Sequence, residues 1–278
     1  MRRCGLFAAL FAAFLIFAGA PAFAAELCYY ALDVGQGDSS LFIFPNGQTM
    51  LIDAGIKDAG KGVARYLKSC GVKRVDFLVA THPHADHIGG MGEVMRGFEI
   101  GEIWDSGFVT GSPLQKWFYR AVKKTGAKFG TPKRGYTRKI GGALVEVLAP
   151  VRELRGTKRD ANNNCIVLMV TYGQVKFLMA ADMEREERAT LPDIPRCTVL
   201  KAAHHGSYNG TDAAFLRKTA PKAVILSYAK ENDYGYPHRE VVSAIRDARL
   251  LRFDTAGGTV KMRTDGVNLS YPRERVIN

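Results

Sequence analysis

Thr81-His-Pro-His-Ala-Asp-His-Ile88 places three of the chain's six histidines and an aspartate within positions 82–87. The other three, His204, His205 and His238, fall in two further short stretches. Neutral imidazoles and carboxylates are the ligands that borderline divalent transition metals such as zinc prefer. His82, His84, Asp86 and His87 therefore read as a metal-ligand cluster rather than as scattered surface histidines. The apolar run Val75-Asp-Phe-Leu-Val-Ala80 ahead of them reads as a buried strand, and Gly89-Gly90 follow. The ligands then stand on a loop leaving a strand end, where α/β enzymes place their chemistry.

Working outward, residues 27–34 and 41–44 are apolar and β-prone, and Asn46-Gly47 predicts a hairpin into a strand over 49–52. Helical spacing covers 63–69, 91–96 and 113–124, with a strand over 100–104. A second β-rich section follows Gly141-Gly142, with strands over 144–148, 166–172 and 175–180 and a turn at Tyr172-Gly173-Gln174. Strands over 198–203 and 223–228 are each followed by a helix-like segment, 212–218 and 239–247. Strands, then strand–helix alternation, occur twice over, which predicts two similar halves packed as one unit. The basic stretch 152–160 reads as a polar loop between the halves, or as a phosphate-binding edge.

At the start, Met1-Arg-Arg3, an apolar stretch over 6–17 and Ala22-Phe23-Ala24 form the n-region, h-region and cleavage site of a signal peptide. Residues 1–24 are expected to be removed, leaving a single domain over 25–278 that is exported, periplasmic or secreted. The apolar stretch is short for a ~30 Å hydrocarbon core, and no other segment approaches transmembrane length. Loss of Arg2 and Arg3 lowers the formal charge from +12 to +10. Such a basic chain favours polyanionic partners, while 47% hydrophobic residues argue for a globular core over disorder. Cys28, Cys70, Cys165 and Cys197 remain in the mature chain. They allow three disulfide pairings in an oxidising compartment, or four buried thiols.

His82-x-His84-x-Asp86-His87, with Leu51-Ile-Asp-Ala-Gly55, Ala180-Ala-Asp182 and His238, resembles the metallo-β-lactamase-fold hydrolases across nearly the whole mature chain. More narrowly, Asp33-Val-Gly-Gln-Gly-Asp-Ser39, Asn162-Asn-Asn164, His204-His-Gly-Ser207 and Tyr234-Gly-Tyr-Pro-His238 are similar to the soluble domain of ComEC-type DNA-uptake proteins. A branch of teichoic-acid phosphorylcholine esterases is similar too. The resemblance implies an α+β fold, a four-layer αββα sandwich with the site along one edge.

It also implies a set of roles. His82 and His84 would serve one divalent metal, Asp86, His87 and His238 a second, and Asp182 would bridge them. Asp86 and His205 are the expected catalytic residues, with His205 as general acid to the leaving oxygen and His204 as the alternative or an extra ligand. Asp53 and Asp38 are expected to orient the metal loop from behind the ligands. Ser207 is expected to donate to a phosphate oxygen, and Lys201 to bind phosphate or simply to lie on the surface.

One departure from the family pattern stands out. No histidine occurs between His87 and His204, and Asn162-Asn-Asn164 stands where a further ligand would be. The first metal is then completed by an asparagine such as Asn164, by water or by substrate. It is held more weakly, and manganese becomes as acceptable as zinc. The expected activity is an exported phosphodiesterase, a nuclease that cleaves DNA with metal-activated water. Its rivals are a phosphorylcholine-ester or cell-wall phosphoester hydrolase, and a β-lactamase or lactonase. A binding module with a decayed site sits poorly with the intact cluster.

Overall fold

Alternate residues of the first strand enter different apolar interiors. In Leu27–Ala31 (β1), Leu27, Tyr29 and Ala31 join one buried cluster and Tyr30 another. A strand buried on both faces must lie inside a stack of layers. The computed structural model, which describes residues 26–277, has four. The expected signal peptide and cleavage site lie outside the described residues.

The first sheet continues through Ser40–Ile43 (β2), Thr49–Ile52 (β3), Arg74–Ala80 (β4), Glu99–Asp105 (β5) and Lys128–Gly130 (β6). The second contains Thr137–Ile140 (β7), Ala143–Ala149 (β8), Val167–Tyr172 (β9), Val175–Met179 (β10), Val199–Lys201 (β11), Ala223–Leu226 (β12) and Leu251–Asp254 (β13). The chain then returns to the first sheet as Val260–Thr264 (β14) and Leu269–Ser270 (β15), so that β14 pairs antiparallel with β1. In both sheets an antiparallel meander gives way to parallel strands, at β3–β4 in one and β10–β11 in the other. The doubling expected from the order of elements is therefore present in the topology.

Between the sheets lies the main core, where Phe177 of the second sheet meets Tyr29 and Phe42 of the first at ring-centroid distances of 5.2 and 5.6 Å. Gly60–Ser69 (α1), Ala85–Ile88 (α2), Met91–Gly97 (α3) and Pro113–Thr125 (α4) cover the outer face of the first sheet. Arg185–Thr190 (α5), Ala213–Thr219 (α6) and Arg239–Asp247 (α7) belong to the second half, and Phe215, Leu216, Val241 and Ile245 pack on its sheet. The ends of α4 follow local chemistry: Ser112 Oγ accepts from Gln115 N at 3.1 Å and Pro113 takes the first turn. Among the described residues no helix is long and apolar enough to cross a membrane.

Cys28, Cys70, Cys165 and Cys197 are free thiols in the structure, but only Cys165 and Cys197 are buried; Cys28 and Cys70 are half-buried. Cys165 is fully buried, and its Sγ lies 3.1 Å from Glu187 Oε2 on α5. Burial pushes the Glu187 carboxyl up to about 8 despite that thiol bond. Unfolded, the same group ionises near 4.5. The native state therefore holds the proton more tightly: its contribution is full below about pH 4.5 and is lost as pH rises through 8. Urea titrations of the wild type should lose about 3 kcal/mol of unfolding free energy between pH 5 and pH 8 through this group. Glu187→Gln should flatten that fall; an unchanged pH slope in the variant would show that Glu187 ionises normally.

Candidate metal centre

Most residues of the centre follow strands at the parallel part of their sheet, while Asp38 precedes β2 and Asn162 lies between β8 and β9. Asp53 follows β3, the His82–His87 loop follows β4, Asp182 follows β10, and His204 and His205 follow β11. The strand ends of both halves thus converge at one edge of the sandwich. Four non-glycine residues here occupy left-handed backbone, Asp53 (φ 58°), Ala181 (φ 47°), His204 (φ 49°) and His205 (φ 53°). Such conformations cost on the order of 1–3 kcal/mol each and persist where surrounding contacts over-determine them. Gly37 admits the loop before β2. A Cβ there would lie 2.2 Å from Asp86 O, and its neighbour Asp38 N donates to that same carbonyl at 3.1 Å.

Two imidazoles are fixed from behind in the same way. His87 Nδ1 donates to Asp53 Oδ2 at 2.7 Å, and Asp53 also accepts from Thr81 N and Oγ1 at 2.9 and 2.7 Å. His205 Nδ1 donates to Ser227 O at 3.0 Å, with Asp38 Oδ1 at 3.3 Å. In each ring the remaining Nε2 turns inward. His87 Nε2 lies 3.3 Å from Asp182 Oδ1, and His205 Nε2 lies 3.2 Å from Asp86 Oδ2 and 3.6 Å from Asp182 Oδ1. On the other side of Asp182, Oδ2 faces His82 Nε2 at 3.6 Å, and that nitrogen is 3.0 Å from His84 Nδ1.

Several atoms of this cluster have no hydrogen-bond partner. His87 Nε2, His205 Nε2, Asp182 Oδ1, Asp38 Oδ1 and Asn162 Oδ1 are all buried and unpartnered. Buried polar atoms are otherwise satisfied almost without exception, so a group of five pointing at one another fits a shared cation. The donors fall into three overlapping sets, His82–His87–Asp182, Asp86–His87–His205 and Asp38–Asp182–His205, each within 4.8 Å. The metallo-β-lactamase fold binds divalent metals, and these residues could hold them. Electrostatics agree. Burial opposes ionisation of Asp182, yet His87, His205 and His204 hold it well below the usual carboxylate range. Burial likewise opposes charge on His205, but Asp182 and Asp38 push it up to about 10. The pocket demands positive charge, so cations and protons compete for it.

Several sequence expectations need amendment. His84 and His238, both expected among the ligands, join none of the three donor sets: His84 Nδ1 stands 3.0 Å from His82 Nε2, while His238 precedes α7 and its Nδ1 accepts from Tyr208 N at 3.1 Å. His205, expected as general acid, instead stands among the donors with Nδ1 tied to a backbone carbonyl. Asn164 does not face the centre: it clamps the preceding loop through Leu154 N and through the carbonyls of Leu154 and Asp160. Asn162 is the amide that reaches Asp182 Oδ2 (3.4 Å) and His204. Ser207 is buried, accepts from Asn209 N and so braces the turn instead of meeting solvent. Lys201 is not a surface group; it is 2% exposed, with Nζ 2.9 Å from Asp38 Oδ2.

The sequence reading missed Glu184, Arg159 and Tyr236. Glu184 Oε1 holds His204 Nδ1 at 2.9 Å and Arg159 Nη1 at 2.8 Å, while Tyr236 Oη lies 3.1 Å from His204 Nε2. Arg159 and Tyr236 stood in stretches already singled out, 152–160 and Tyr234-Gly-Tyr-Pro-His238, but without a role; Glu184 had no signal beyond standing two residues past Asp182.

Because both oxygens of Asp182 face ring nitrogens, Asp182→Ala should strip bound metal and activity together. His205→Ala should weaken metal affinity by at least about tenfold, whereas His238→Ala should keep the wild-type metal content. Elemental analysis after gel filtration measures all three. Wild-type content in Asp182→Ala would remove it from the ligand set, and metal loss in His238→Ala would return His238 to it.

Comparison with known proteins agrees with this architecture. The metallo-beta-lactamase superfamily model matches residues 32–230. ComE operon protein 3 of Bacillus subtilis (strain 168) is 29% identical over 255 residues, covering 84% of this chain and 32% of that protein. Competence protein ComA of Neisseria gonorrhoeae is 29% identical over 232 residues, covering 81% of this chain and 30% of that protein. The chain thus spans less than a third of the length of these curated relatives. The metallo-beta-lactamase fold protein YhfI from Bacillus subtilis superposes with a TM-score of 0.53 at 13% identity, over 79% of this chain and 93% of that one, a likeness of fold alone. With the sandwich, the strand-end donor cluster and a family match over most of its length, the chain belongs to the metallo-β-lactamase superfamily of metal-dependent hydrolases and is related to ComEC-type competence proteins.

Proposed function

We propose that the protein is an exported, divalent-metal-dependent phosphodiesterase acting as a nuclease on DNA. The observation that carries this is Asp182, whose Oδ1 faces His87 and His205 while its Oδ2 faces His82, a two-sided carboxylate suited to a pair of cations. Bound there, divalent cations would screen a phosphodiester's charge and lower the pKa of an attacking water. The oxygen-rich donors Asp86, Asp182, Asp38 and Asn162 suit manganese as well as zinc.

The chain's own groups divide the remaining work. Asp53 and Ser227 O hold the Nδ1 protons of His87 and His205, so that both Nε2 atoms stay free as donors. His84 and Asp86 are only half-buried and form the side open to substrate. His204, locked between Glu184 and Tyr236, positions Asp182. His238, on the rim with Nδ1 already occupied, is left to hold a proton at Nε2 for the leaving oxygen. Kinship with ComEC-type competence proteins and the +10 mature charge support a nucleic-acid substrate over a small one. Export is supported by the basic, apolar and Ala-Phe-Ala segments at the start.

The deciding experiment is a screen after reconstitution with manganese or zinc. Plasmid DNA, single-stranded DNA, RNA, bis-p-nitrophenyl phosphate, p-nitrophenyl phosphorylcholine and nitrocefin are compared side by side. DNA cleavage is expected, with KM rising steeply between about 50 and 200 mM salt because each phosphate contact releases counterions. Turnover of nitrocefin or the phosphorylcholine ester without cleavage of any nucleic acid would overturn the proposal. For export, intact-mass analysis of envelope-fraction protein should give an N-terminus at Ala25; a full-length cytosolic species would refute it.

A further inference from the structure

A run of aromatic rings leads from the centre to solvent. Tyr236 Oη lies 3.1 Å from His204 Nε2, which is itself 3.7 Å from Asp182 Oδ2. The Tyr236 ring meets His238 at 5.1 Å, and His238 meets Tyr208 at 4.9 Å. On its other side Tyr236 stacks on Tyr234, with centroids 5.5 Å apart and planes only 13° from parallel. Gly235 between them has φ +70°, the left-handed turn that brings both rings to one side of the chain. Tyr236 is 8% exposed, but Tyr234 is 63% and Tyr208 45% exposed. The outer rings thus offer flat apolar faces to water at the mouth of a hydrolytic site, where a core role would have buried them.

The charges beside these rings select the occupant. Arg185 Nη2 donates to Tyr208 O at 3.4 Å, and Arg159 holds Glu184 behind His204. Both guanidinium side chains are about half exposed, 56% and 46%. Aromatic faces alone suit either a quaternary ammonium or a nucleobase. Arg185 also pairs with Asp212 at 3.4 Å and Arg159 with Glu184, but guanidinium groups this exposed still repel the former and attract the phosphates that accompany the latter.

We propose that Tyr208 and Tyr234 form a base-stacking platform beside the centre, which makes single-stranded DNA the preferred substrate class. This rests on the nuclease function proposed above. In a duplex the faces of the bases are already stacked on their neighbours, whereas an unpaired base can lie on a tyrosine while its phosphate reaches the donor cluster. The platform sets KM and strand preference. It leaves the chemical step on a small diester untouched at Tyr234, whose ring stacks on Tyr236 and not on the donor cluster or His238.

The test uses manganese-loaded wild type, Tyr208→Ala, Tyr234→Ala and Tyr234→Phe. Substrates are a single-stranded oligodeoxynucleotide carrying 2-aminopurine, its duplex, bis-p-nitrophenyl phosphate and p-nitrophenyl phosphorylcholine. Each alanine variant should raise KM on the single strand by about tenfold, the scale of one lost base–aromatic stack, and abolish the quenching of 2-aminopurine on binding. Tyr234→Phe should stay near wild type, and turnover of bis-p-nitrophenyl phosphate should be unchanged in both Tyr234 variants; Tyr208→Ala, which removes the ring packed on His238, is read by KM on the single strand alone. If wild type cleaves the single strand but both alanine variants do so with unchanged KM, the platform is wrong while the nuclease function stands. A loss confined to the phosphorylcholine ester would assign the rings to a quaternary ammonium instead. If wild type hydrolyses bis-p-nitrophenyl phosphate yet cleaves no nucleic acid, the nuclease function has failed and the platform with it.

Discussion

Asp182 is a fully buried carboxylate at the seam between two sheets, and much of the local structure answers its charge. An ionised carboxylate out of water is tolerable only with compensating positive charge and hydrogen bonds. Here the compensation comes from His82 and His87 of the first half and from His204 and His205 of the second. A second buried pair, Lys201 with Asp38, crosses the same seam, since Lys201 ends β11 and Asp38 precedes β2. Removing one partner of such a pair leaves an uncompensated buried charge, which costs far more than an exposed ion pair contributes. Electrostatics therefore hold the halves in register at the edge, and apolar packing around Phe177 holds them in the middle.

The donor loop was legible because its chemistry is dense: four ligand-type residues in six positions, after an apolar run, leave few alternatives. The hairpins at Asn46-Gly47 and Tyr172-Gly173-Gln174 were legible for a related reason, since turn chemistry is local. The strands that escaped notice were short or late. Thr137–Ile140 has mostly polar side chains along an exposed edge, and Lys128–Gly130 has only three residues. Val260–Thr264 does alternate, buried then exposed, but its partner β1 lies more than 200 residues earlier and no local signal announces it.

Assignments within the site failed where spacing cannot reveal direction. His204 and His205 are adjacent in sequence, and only their left-handed backbone sends one ring to Glu184 and Tyr236 and the other to Asp86. Asn162 and Asn164 likewise sit two positions apart on a turn, one facing the centre and one clamping a loop. His238 could be placed near the site from its motif, but not given a role, because that depends on the Tyr208 amide thirty residues away. Glu184 shows the converse problem: nothing in the sequence marks it, yet it braces His204 and Arg159.

The passage from the first sheet to the second runs through residues 131–136, most of them exposed. A break there would part His82, His84, Asp86 and His87 from Asp182 and His205, yet the two pieces would not be independent bodies. The later piece contributes β14 and β15 to the earlier piece's sheet, and β14 pairs along the whole of β1. Each fragment would carry half of a metal pocket and an unpaired strand edge that only the other fragment fills. The return of the chain to its first sheet thus makes the fold a natural candidate for fragment complementation, with metal capture as the sign that the halves have found each other.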